Sequence, residues 1–109
     1  GFSQEAGRIA EGIIDAADYF QGRLPEAFGG YERALTRYPV LYPTACSPQA
    51  WSTGTPLLLL RTMLGMEPRG NHLVTRPAVP TSMGRIELLN IPGRWGRAGA
   101  LGRARAERR

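Results

Sequence analysis

The sequence predicts a mainly α chain with a short C-terminal β pair, on three observations. Apolar residues recur at helical spacing near the N-terminus. A hydroxyl–proline pair at Ser47-Pro48 opens a second apolar run, and two short strand-like stretches follow residue 71.

In the first segment Phe2, Ala6, Ile9, Ile13, Ala16, Ala17 and Phe20 step by threes and fours, which predicts an amphipathic helix over residues 4–20. Ser3 stands where a cap belongs, and Glu5 lies in the first turn, where the helix dipole favours an acid. Gly22, Pro25, Gly29 and Gly30 then break the period. Residues 31–46 show none, and Pro39 and Pro43 impose extended backbone. An unstructured loop of that length inside a small domain points to function.

Ser47 followed by Pro48 reads as a hydroxyl cap with proline at the first helical position, opening a helix that runs to Leu64 and stops at Gly65. Gly54 and Pro56 predict a kink in it, or two abutting helices. Leu57 to Leu60 are apolar on every side, so this helix is expected to be deeply buried. A turn over 67–71 precedes two expected strands, His72 to Pro77 and Arg85 to Ile91, joined through Pro77–Pro80. Two strands alone are marginal in water, so they must pack on the helices or complete a larger sheet. Residues 92–109, rich in Gly, Ala and Arg, are expected to fray.

At 109 residues the chain suits one small domain or a piece of a larger one, and 42% hydrophobic content allows a modest core. Fourteen Gly and nine Pro predict much turn and loop. All 14 basic residues are Arg. Six fall after residue 93 against one acid, Glu107, while the first 93 residues balance eight Arg with eight acids. The net charge of +5 therefore belongs to the tail. One Cys excludes an internal disulfide and offers no metal cluster. The longest apolar run, Pro56 to Leu60, is too short to span a bilayer. A start in mid-helix without Met or a leader pattern predicts a fragment.

Residues 23–53 concentrate the side chains that grip sugars: Tyr31, Tyr38, Tyr42, Gln49 and Trp51 around a lone acid, Glu26, which follows Pro25 in a Gly-bounded turn. Inverting glycoside hydrolysis needs two carboxyl groups about 6.5–9.5 Å apart, one protonating the leaving oxygen and one activating water. Glu26 fits the second role, or else is an ordinary helix-initiating acid. Trp51 is either a stacking platform for sugar C–H faces or a core residue. Gln49 either contacts sugar or satisfies backbone groups, since two positions apart on a helix it does not share the face of Trp51. A Cys46–His72 nucleophile pair is conceivable, but a small buried thiol is the preferred reading of Cys46.

The succession of a helix, LPEAFGG, YPTACSPQAWSTGTPLLLLR, HLVTRPAVP and IELLNIPGRWG resembles the C-terminal end of bacterial amylo-α-1,6-glucosidases of the glycogen-debranching type, over residues 1–98. The resemblance implies the last helices of an (α/α)6 toroid over 1–66, a small β appendage over 67–98 and an Arg-rich flexible tail over 99–109. It implies a cytoplasmic hydrolase acting on α-1,6 branch linkages of α-glucans, without cofactor or metal. Glu26 would be its general base, and Gln49, Trp51 and Tyr42 would bind substrate. The general acid would lie in a missing N-terminal part of the same enzyme, and the 109 residues alone would be inactive. The rival reading is a non-catalytic helical module binding an acidic partner, nucleic acid or protein, through the Arg-rich tail. Apart from Trp95, which is expected to pack on the β appendage, the tail lacks interleaved aromatics and carries no known nucleic-acid motif, so a solvated, non-functional tail is the preferred reading and nucleic acid a weak one.

Overall fold

The computed structural model describes residues 3–104. Helix α1 spans Ser3–Tyr19, and α2 spans Thr55–Leu64. Among the described residues six strands pair as three antiparallel hairpins: β1 Phe28–Gly29 with β2 Val40–Leu41, β3 Met66–Arg69 with β4 His72–Thr75, and β5 Arg85–Gly93 with β6 Gly96–Arg103. Short 3₁₀ turns lie at Trp51–Gly54 and Thr81–Met83. About 33% of the described residues are helical and 29% strand, which overturns both the mainly α class and the expectation of toroid helices. Two compact units result. One is Ile9–Leu57; the other joins the start of α1, through Arg8, to the chain from Leu58 onward.

In the first unit the predicted helix ends almost where its period does. Gln21, at φ 55°, and Gly22, at φ 76°, turn the chain out, with Gly22 N–H donating to Ala17 C=O at 2.7 Å and Gln21 N–H to Asp18 C=O at 3.0 Å. This pair of bonds is the Schellman closure, with a glutamine where glycine is commoner. Ala10, Ala16 and Leu24 are buried. Beyond them an aromatic cluster forms: Tyr19 meets Phe20 edge-on at 5.1 Å, Tyr19 stacks on Tyr38 at 5.5 Å, and Phe20 meets Phe28 at 5.8 Å.

The second unit centres on Met63, Leu64, Val79 and Ala100. Segment 76–78 is tied to the end of α2, Arg76 N–H donating to Gly65 C=O at 3.1 Å and Ala78 N–H to Met63 C=O at 2.8 Å. Gly65 stops the helix as expected, at φ 56°. A side chain there would also strike the Arg76 carbonyl.

The two expected strands do form, but each takes a different partner. Gly70-Asn71 closes β3 on β4, with Gly70 at φ 56° in the first turn position. Pro68 had marked β3 as turn, yet a two-stranded ribbon has free edges where proline is tolerated. Residues 96–103, expected to fray, form β6 instead, and Ala104 N–H donates to Gly84 C=O at 2.7 Å to close the base of the hairpin. A register shift sets Leu89 and Asn90 against Gly99, a bulge in which Asn90 takes φ 62°. At the tip Trp95 is half-buried and its indole N–H donates to Ile91 C=O at 3.0 Å, as its assignment to this region implied. Of the Arg-rich tail, Arg105, Arg108 and Arg109 lie outside the described residues.

Two further expectations fail. Ser47 does not open a helix: the Ser47–Pro48 bond is cis and helical turns begin only at Trp51. The backbone of this segment is committed elsewhere, as described below. Leu57 and Leu58 are 70% and 59% exposed, and only Met63 and Leu64 of α2 are buried. Being apolar all round is thus not matched by cover all round.

Candidate functional site

The candidate site lies within Ile9–Leu57, where two distant stretches are laced together. Glu26 N–H donates to Cys46 C=O at 2.8 Å, and Gln49 N–H donates to Leu24 C=O at 3.0 Å. Farther along, Phe28 faces Leu41 and Gly29 faces Val40 as β1 and β2. Residues 24–29 and 40–49 therefore form a neck, from which 30–39 emerge as a loop tip. Backbone groups of Cys46 and Gln49 serve the neck, which is why they do not enter a helix.

Glu26 is exposed, and its carboxylate Oε2 accepts the Cys46 N–H at 3.3 Å. Leu24 and Pro25, the two residues before it, are buried and anchor the segment that carries it into β1. The structure thus joins the LPEA and ACSPQ stretches that the sequence had singled out, 20 residues apart. Gln49 is half-buried. Trp51, at the start of the 3₁₀ turn, is 71% exposed, which rules out the core-packing alternative and leaves its ring free to stack. Tyr42 is exposed and opens the turn that delivers Cys46, its C=O accepting the Ala45 N–H at 3.0 Å around Pro43. Cys46 is exposed, contrary to the buried-thiol expectation. His72 is an exposed residue of β4.

Beside the neck is an open groove of about 380 Å³ between α1 and the loop tip. Tyr19, Tyr31 and Tyr38 line it with Asp15 and Arg33, which form an ion pair. Tyr31 and Tyr38 were among the aromatic candidates. Asp15, Tyr19 and Arg33 were not, because Asp15 and Tyr19 read only as residues of a helix and nothing in the sequence singles out Arg33. No local pattern links positions 18 apart.

Among the described residues no group of His, Cys, Asp and Glu side chains is placed to hold a metal ion, and no helix is long and apolar enough to cross a membrane. Comparison with protein-family models, curated proteins and solved structures finds no match.

Proposed function

We propose that the chain is part of a glycoside hydrolase acting on α-1,6 branch linkages of glycogen-like α-glucans, with Glu26 as the general base of an inverting mechanism. The observation that carries this reading is the neck, which sets an accessible carboxylate against the segment leading to Gln49 and the exposed Trp51.

A general base must be reachable by water yet held in place. Glu26 meets both needs: it is exposed, and a backbone N–H holds one carboxylate oxygen, leaving the other to polarise the attacking water. Trp51 offers a flat apolar face for a pyranose ring, Gln49 an amide for its hydroxyls, and Tyr42 a phenol at the rim. Protonation of the leaving oxygen requires a second carboxyl group, which this reading assigns to another segment of a longer enzyme. The rival reading placed function after residue 93. Much of that stretch is hairpin here, with Arg97 donating to Asn90 C=O at 3.3 Å, so residues 23–53 are the better candidate.

In the longer enzyme, Glu26→Gln is expected to lower kcat on a branched oligosaccharide by about 10²–10⁴-fold while KM stays nearly unchanged. Unchanged kcat would sink the assignment.

A further inference from the structure

We propose that the groove between α1 and the loop tip is a separate binding subsite for a pyranose unit of an α-glucan. The identity of the sugar rests on the reading above; the site itself rests on its own geometry. Tyr19 and Tyr38 stack at 5.5 Å with an interplanar angle of 29°, forming a paired aromatic wall, and Tyr31 lines the groove from the loop tip. All three tyrosines keep half or more of their residue surface open to solvent. Set among them is the Asp15–Arg33 pair.

This combination matches the amphipathic character of a pyranose. Its C–H faces pack on aromatic rings, while vicinal hydroxyls at its edge bond to planar polar groups, donating to a carboxylate and accepting from a guanidinium. Asp15 and Arg33 largely cancel each other's charge, and Arg37, which also lines the groove, adds a further planar donor for a hydroxyl. A volume of about 380 Å³ is near the lower end for small-molecule sites and suits one or two sugar rings rather than a long chain. Glu26 is not among the lining residues, so the groove holds substrate without taking part in bond cleavage.

The test is titration of the ¹⁵N-labelled 109-residue chain with panose and maltotriose. Amide shifts are expected to centre on Gly29, Tyr31, Arg33 and Tyr38. Tyr38→Ala and Arg33→Ala should each weaken binding by about tenfold or more. Tyr38→Phe should retain it, because the ring face makes the contact, and Arg69→Ala, on the distant-in-sequence β3, should leave it unchanged. Every altered residue is exposed, and the dispersion of each variant's spectrum verifies its fold. Shifts centred on Cys46 to Trp51, lost in Trp51→Ala but kept in Tyr38→Ala, would overturn the groove while leaving Glu26 as a candidate base. The absence of shifts with either sugar would overturn it too. Groove binding together with an unchanged kcat for Glu26→Gln would support the groove and sink the hydrolase reading alone.

Discussion

Gly65 sits at φ 56° with the Arg76 carbonyl where a side chain would project, so two penalties meet at one position. Gly65→Ala should cost about 3 kcal/mol or more in urea denaturation, from left-handed strain plus displacement of segment 76–78. Gln21 presents the reverse case. It occupies the left-handed position of the α1 cap without a glycine's freedom, and Gln21→Gly should stabilise by about 1 kcal/mol in the same assay. Glu26 gives a third kind of residue. Its side chain is exposed and accepts one long bond, so Glu26→Gln should change stability by less than about 0.5 kcal/mol. A larger loss would make the carboxylate a structural residue first. Gly65 was readable as a helix stop from its place after an apolar run. The cap at Gln21 was not, because Gly22 drew attention one residue too late.

Helix α2 shows how an element's sequence can mislead about its surroundings. Four consecutive leucines imply burial on every side, yet cover reaches mainly the C-terminal turn, where Leu64 is fully buried. Leu64→Ala should therefore cost about 2–5 kcal/mol, whereas Leu57→Gln should cost less than about 1 kcal/mol, both measured by chemical denaturation. Similar losses at both positions would restore the deeply buried helix. Helix α1 was legible because 3.6-residue periodicity is carried by the segment itself. Strand β6 was not, since GRAGALGR lacks the branched and aromatic residues that mark strands, and its pairing with β5 satisfies the backbone instead. The neck was hidden for another reason: its bonds join residues 20 and 25 apart, and no local propensity encodes such a pairing.

Across the whole molecule, cover is thin. Buried apolar residues among those described include three alanines, while large side chains such as Ile9, Leu35, Trp51 and Leu89 stay open to solvent. The three ion pairs among the described residues are exposed and add little. A chain of this size with such a core should unfold with a free energy below about 5 kcal/mol, measured by urea denaturation. The candidate residues of the site could be named from sequence because their chemistry is local to one stretch; the groove could not, since it needs α1 and the loop tip together. One consequence follows from the neck. It closes the stretch between Glu26 and Cys46 at its base, so the intervening tip can lengthen, shorten or change side chains while the carboxylate stays where it is. Tyr31, Arg33 and Tyr38 all lie on that tip. In the proposed enzyme, the groove's preference among glucans could then be altered by exchanging one segment, with the water-activating base left unmoved.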